Sequence, residues 1–193
     1  MYKRQRIIGQ YSNCFILCQD GDELVIIDQH AAHERVTFEQ LKAAYEGVGA
    51  RNQLLLTPRM VELPRREAEL LIDHLEELER LGLEVEPFGG TTFAVKALPV
   101  PLQDEDPEGL LIDLANDLTA DVARQPLHER IYLILATMAC HGSIRSSRKM
   151  APLEMEALLR LLDGTDFSYA CPHGRPLIVR HSRRDVERQF KRT

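Results

Sequence analysis

The sequence predicts an α+β fold, mixed α/β in character, in which an acidic lobe is inserted between two parts of a larger lobe. Three observations predict it. Short apolar runs bounded by turn residues alternate with longer segments of helical periodicity along the whole chain. An Asp-Gly pair joins two of the apolar runs and is followed at once by a capped helix, giving a strand, hairpin, strand, helix unit near the start. Charge is also uneven: Glu62 to Arg124 holds 16 acidic against 5 basic residues, whereas His173 to Thr193 holds seven Arg or Lys against Asp185 and Glu187. The predicted division is residues 1–60, an inserted lobe at 61–125, and residues 126–193.

The elements follow in order. "SNCFILCQDGDELVIIDQH" reads as two strands joined at Asp20-Gly21, whose residues tolerate the positive φ of a tight hairpin turn. Leu24 to Ile27 is apolar throughout, as in a strand covered on both faces. Asp28 is a good N-cap, and "QHAAHERVTFEQLKAAYEG" continues as a helix with apolar residues at Ala32, Val36, Leu41 and Ala44 before Gly47 and Gly49. "NQLLLTPRMVEL" is extended. Pro64 then opens a helix that Gly82 ends. "LEVEPFGGTTFAVKALP" is a hairpin around Gly89-Gly90, and "PEGLLIDLANDLTADVAR" is a further helix. A strongly apolar helix ends near Cys140, an amphipathic one ends at Gly164, "YACPHGRPLIVRHS" is extended, and "RRDVERQFKRT" reads as a short basic terminal helix.

Composition narrows the class. With 193 residues, 44% hydrophobic and 28% charged, the chain has the make-up of a globular protein able to bury a sizeable core. No apolar stretch reaches the roughly 18 residues needed to span a bilayer, and the start lacks the apolar core of a secretory signal. An intracellular, cytoplasmic location is expected. Four cysteines in such a chain do not form a disulfide scaffold; Cys14 and Cys18 sit among strand residues and read as small hydrophobes. A net charge of −6 argues against a general nucleic-acid binder, but the basic end is a separate surface. Solvated helix faces account for charge runs equally well.

The first candidate chemistry is "DQHAAHERVTFE", Asp28 to Glu39. Residues three and four apart share a helix face, so His30, His33 and Glu34 cluster while Asp28 caps the same end; Glu39 points away. A capped helix and a metal site both fit that pattern. In "CPHG", residues two apart on an extended chain point to one side, so Cys171 and His173 present a thiolate and an imidazole together. Cys140 adds a second thiol. The set Asp28, His30, Glu34, Cys140, Cys171 and His173 mixes oxygen, nitrogen and sulfur, which suits Zn²⁺ or Mn²⁺ better than Mg²⁺ or Ca²⁺. Its spacing matches no zinc finger.

On these residues the chain resembles the C-terminal domain of the MutL mismatch-repair family, in the branch that carries an endonuclease. Asp28 to Glu39 fits that family's D-Q-H-A, two residues, E, four residues, E. "CPHGRP" at Cys171 to Pro176 is a second signature, Ala139-Cys140 fits a third with His141 where Arg is usual, and Phe190-Lys191-Arg192 fits the closing F-x-R.

The resemblance implies a dimerisation lobe made from the two chain ends and an inserted external regulatory lobe. It implies Mn²⁺-dependent nicking of one strand of double-stranded DNA, with Asp28, His30 and Glu34 catalytic and Zn²⁺ structural or regulatory at the same six ligands. Arg145, Arg148, Lys149 and Arg175 are the expected phosphate contacts. "QLLLTP" resembles the family's motif for the replication sliding clamp: Leu56 and Pro58 would fill apolar pockets and Gln53 would hydrogen-bond at their rim. A plain buried strand fits those residues as well. The implied partners are a second copy of the chain, DNA, the clamp and, through the full-length protein, the mismatch-recognition protein MutS; nucleoid association follows from them. ATP would belong to an N-terminal ATPase, since no phosphate-binding glycine loop occurs here and the chain begins within strand-like sequence, as an excised domain does. The alternative is a zinc-stapled dimerisation scaffold that cuts nothing; a small-substrate metal hydrolase is a further one.

Overall fold

A computed structural model of the protein describes residues 5–47, 52–118, 122–143, 148–164 and 176–192. In chain order its elements are β1 (Arg6–Tyr11), β2 (Phe15–Asp20), β3 (Glu23–Asp28), α1 (Gln29–Glu46), β4 (Asn52–Glu62), α2 (Arg65–Ile72), α3 (Leu75–Arg80), β5 (Glu84–Gly89), β6 (Thr92–Pro99), α4 (Pro107–Asp117), α5 (Leu127–His141), α6 (Pro152–Asp163), β7 (Ile178–Ser182) and α7 (Arg183–Gln189). The fold is mixed α+β, with two sheets. The chain divides into two compact units, Met1–Val36 with Ser143–Thr193, and Thr37–Gly142.

The first unit is built on an antiparallel sheet of order β1-β2-β3-β7. Asp20 pairs with Glu23, so Gly21 and Asp22 make the hairpin turn, and Gly21 takes the positive φ of 58° that a tight turn demands. Alternation along the strands sends Ile16, Cys18, Val25 and Ile27 to one face, where they are buried with Ala31, Ala32 and Val36 of α1 and Met155, Leu158, Leu159 and Leu162 of α6. The opposite face carries Leu17, Ile26 and Val179 in one register row, with Tyr11 opposite Phe15 beside it. That face is apolar yet only partly covered: Tyr11 and Val179 are exposed.

The second unit holds the antiparallel sheet β4-β6-β5, packed with α2 to α5 around Leu71, Leu78, Phe93, Val95, Leu110, Leu114 and Ile134. Gly90, at φ 58°, closes the β5–β6 hairpin where the sequence places it. The single helix expected from Pro64 to Gly82 is instead α2 and α3, because His74 leaves the helical region (φ −116°, ψ 4°) and buries its ring. The helix expected to run to Arg124 ends at Asp117; Leu118 takes a non-helical ψ of 75°, and Val122–Arg124 is a separate short 3-10 turn. Of the extended stretch after Tyr169, residues 165–175 lie outside the described residues and Ile178–Ser182 is strand. Among the described residues no helix is long and apolar enough to cross a membrane.

Candidate functional site

Where β3 ends and α1 begins, Asp28 is a working cap. Its Oδ1 accepts the backbone N–H groups of His30 at 2.9 Å and Ala31 at 3.1 Å, satisfying two of the first-turn donors that a helix leaves unpaired. The backbone around it is held from two other directions. The Asp28 N–H donates to the carbonyl of Leu177 at 3.1 Å and that of Gln29 to the carbonyl of Cys14 at 2.9 Å. Leu177 directly follows the "CPHGRP" stretch, so the end of that stretch lies against the start of α1.

Gln29 is fully buried. Its Nε2 donates to the carbonyls of Asn13 (2.7 Å) and Arg148 (3.1 Å), while its Oε1 accepts from Gln10 Nε2. His30, half-buried, has its Nδ1 3.0 Å from the hydroxyl of Ser143, itself 6% exposed. The contact fixes the orientation of the ring and leaves Nε2 as the nitrogen not engaged by Ser143, an arrangement of the kind that orients metal-binding histidines. One turn further along the same face, Glu34 is 2% exposed. His33 and Glu39 are half-buried. Asp28, His30 and Glu34 thus share the opening turns of one helix. Among the described residues alone, no three His, Cys, Asp or Glu side chains form a group able to hold a metal ion. Cys171, His173, Arg145 and Arg175 lie outside the described residues.

Cys140 is exposed near the end of α5 in the second unit. Beside it, His141 Nδ1 faces Asp113 Oδ2 at 3.1 Å and Nε2 faces the Asp106 carbonyl at 3.2 Å. A Cβ on Gly109 would come within 3.0 Å of the ring, so the histidine fills a seat that glycine leaves in the first turn of α4. In place of the usual Arg, the residue here fastens α5 to α4. Cys18 behaves as its strand position predicts: it is buried, and burial, with Asp20 nearby, pushes its thiol up to about 11. A thiol held protonated in this way is inert.

Of the candidate phosphate contacts, Lys149 is exposed, and the exposed Arg148 guanidinium pairs with Glu154 at the start of α6. Glu154 also accepts the N–H of Ala151, and these contacts, the Ala151 N–H foremost, hold its carboxyl below the usual range.

Gln53, Leu56 and Pro58 lie in β4, an edge strand of the second sheet. Its register with β6 breaks between Leu54, paired with Ala97, and Arg59, paired with Val95. The four residues between them bulge against one on the partner strand. Leu55 packs toward the core while Leu56 is fully exposed, which corrects the buried-strand alternative.

Sequence reasoning missed Gln10, Ser143 and the side-chain role of Gln29. None has a local signature, since their partners lie up to 140 residues away.

Residues 8–150 match the family described as "MutL C terminal dimerisation domain". Over 186 residues, 96% of this chain, it is 46% identical to a DNA mismatch repair protein MutL of Geobacter sulfurreducens, of which it covers 31%. The protein of the same name from Methylocella silvestris is 48% identical over 184 residues, 95% of this chain and 30% of the relative. That of Geotalea daltonii is 41% identical over 186 residues, 96% of this chain and 31% of the relative. The chain thus spans under a third of the length of these curated relatives.

Proposed function

The chain belongs to the MutL C-terminal dimerisation domain family, and on that premise we propose that it is the metal-dependent, DNA-nicking endonuclease domain of a mismatch-repair protein. The observation that carries this reading is the seating of Asp28, His30 and Glu34 on the opening turns of α1. The signature D-Q-H-A, two residues, E is present in full there, with the imidazole pinned through Nδ1 and the carboxylate of Glu34 buried.

These residues fit a transition-metal ion. A buried carboxylate and an imidazole oriented by a hydroxyl are the donor types that Zn²⁺ and Mn²⁺ accept, and thiolate ligands favour zinc over magnesium. Asp28, His30 and Glu34 would hold the ion, with Cys140, Cys171 and His173 as the further ligands that the resemblance implies. When bound, such ions would activate water and neutralise charge building on the phosphate. The chain's own groups then do the rest. Glu34 and Asp28 supply negative charge that retains the ion, Ser143 holds the His30 ring in one orientation, and the exposed cations Arg148 and Lys149, with Arg145 and Arg175, take the DNA phosphates. Arg148 must exchange its exposed partner Glu154 for phosphate, a small cost for a solvated pair.

In this reading the apolar outer face of the first sheet docks a second copy of the chain, and residues 61–125 have the regulatory role. The Leu56 bulge meets the sliding clamp as an extended peptide. Contact with MutS and use of ATP belong to the full-length protein, acting in the cytoplasm at the nucleoid. A scaffold that staples a dimer with zinc is the second reading, favoured by the cysteines.

The test is nicking of supercoiled plasmid with Mn²⁺ by the parent, Asp28→Asn and Glu34→Gln. Loss of relaxed circles in both variants supports the nuclease. Equal residual activity in all three sinks it and leaves the scaffold.

A further inference from the structure

Two separate parts of the chain, at Ser143 and at Arg148, are fastened to consecutive residues of one helical turn, His30 and Gln29. Gln10 joins the fastening from β1: its Nε2 donates to the Arg148 carbonyl at 2.9 Å and to Gln29 Oε1, and its Oε1 accepts the Met150 N–H at 3.1 Å. Gln29 uses both hydrogens of its own amide, on Asn13 and Arg148. Every N–H of the two carboxamides is therefore spent inside the protein. Met150, the next residue but one after Arg148, is anchored in the core. A closed network of this kind specifies one position for the backbone it grips, because shifting that backbone strands the buried amide of Gln29 and breaks the half-buried one of Gln10 from its partners. The backbone gripped is that of the basic pair Arg148 and Lys149.

We propose that Gln10, Gln29 and Ser143 form a clasp around the first turn of α1 that positions two functional groups: the metal ligand His30, through Ser143, and the DNA-binding pair Arg148 and Lys149, through the two glutamines. The inference rests on the nuclease reading, and it assigns these residues positions rather than chemistry. Gln10 acts on DNA only through Arg148 and Lys149; Ser143 acts on metal only through the His30 ring.

The test uses the whole chain with Zn²⁺ alone and with a 30-base-pair duplex alone. Ser143→Ala lowers Zn²⁺ affinity by about 10–100-fold, and Ser143→Thr, which keeps the hydroxyl, restores most of it. For DNA, the plot of log affinity against log salt has a slope set by the number of phosphates neutralised, about 0.9 per contact. Gln10→Met reduces that slope by about one to two contacts' worth. Adding Arg148→Gln to Gln10→Met costs clearly less than Arg148→Gln costs in the parent, since the two lie on one path. Gln10→Asn, which keeps the amide on a shorter arm, repeats the cycle should Gln10→Met alter the circular dichroism spectrum. An unchanged Zn²⁺ affinity in Ser143→Ala, or strictly additive Gln10 and Arg148 losses, overturns the clasp while the nuclease reading stands. A parent that binds neither Zn²⁺ nor the duplex overturns both.

Discussion

His74 Nδ1 and a carboxylate oxygen of Glu77 are hydrogen-bonded at the start of α3, just after the break from α2, and Arg130 of α5 grips the other oxygen of the same carboxylate. The His74 ring is 2% exposed, and its Nε2 has no hydrogen-bond partner among the described residues. The break in the helix is what turns the ring inward. A carboxylate that bridges a buried imidazole and a partly buried guanidinium is costly to remove, since its loss strips the His74 ring of its hydrogen-bond partner. We expect Glu77→Ala to lower the free energy of urea unfolding by about 1–3 kcal/mol. Glu76→Ala, which removes only an exposed partner of Arg80, should change it by less than about 0.5 kcal/mol. Equal effects in the two variants would show that the triad contributes no more than a surface pair.

A second ion pair sets an acid limit on stability. Arg180 Nη1 donates to Asp20 at 3.0 Å and to Glu23 at 2.7 Å, and Gln5 adds a bond to Asp20 at 3.2 Å. The Arg180 guanidinium foremost, then Gln5, holds the Asp20 carboxyl below its ordinary value of 3.8. The unfolded chain therefore takes up this proton first as acid is added, and the stabilisation is fully present above about pH 3.8 and lost as pH falls through the lower folded value. Urea midpoints of the parent and Asp20→Asn should differ by a constant amount from pH 7 to about pH 5 and converge below about pH 4. A gap that widens in acid would reverse the assignment.

The outer face of the first sheet presents Leu17, Ile26 and Val179 in one row, and Val179 is 45% exposed. An apolar sheet face left partly open marks an interaction surface. Val179→Asp places a charge on that face, on its edge strand β7, without touching the buried side. Sedimentation equilibrium should show a dimer for the parent and a monomer for the variant at the same concentration. A variant that stays dimeric would move the interface elsewhere.

Leu55 and Leu56 are adjacent on the β4 bulge and differ in surroundings: Leu55 packs on the core and Leu56 is fully exposed. Leu56→Ala should leave the melting temperature unchanged while lowering affinity for the sliding clamp at least about tenfold in calorimetric titration, as for an anchor residue filling a pocket. Leu55→Ala should do the reverse, losing stability first. Clamp binding unaffected by Leu56→Ala would remove this motif from the functional reading.

The parts of the fold legible in the sequence are those whose causes are local. The Gly21 and Gly90 turns, the Asp28 cap and the stop at Gly164 each depend on a few neighbouring residues, and all are found where the pattern puts them. The helix break at His74 was hidden because the contacts that accompany it reach far along the chain: Glu77, the partner of the His74 ring, also pairs with Arg130, 53 residues on. Leucine spacing alone continues straight through it. The β4 bulge was hidden for a similar reason: periodicity in "NQLLLTPRM" cannot show that four residues face one across the ladder. At the site, the residues that carry charge or metal-binding atoms stood out by type. The neutral amides and hydroxyl that hold them in place did not, since Gln10, Gln29 and Ser143 resemble surface residues until their partners are known.

Asp28 has two separable duties, and that gives a direct check on the site. As N-cap it stabilises α1 through one carboxylate oxygen, a role asparagine fills about as well as aspartate. As a ligand in the nuclease reading it must supply negative charge, which asparagine lacks. Asp28→Asn should therefore keep the parent's unfolding free energy to within about 0.5 kcal/mol and lose Mn²⁺-dependent nicking. Asp28→Ala should lose the nicking and also about 1 kcal/mol of stability. Nicking preserved in Asp28→Asn, with stability lost only in Asp28→Ala, would leave this aspartate a cap and nothing more.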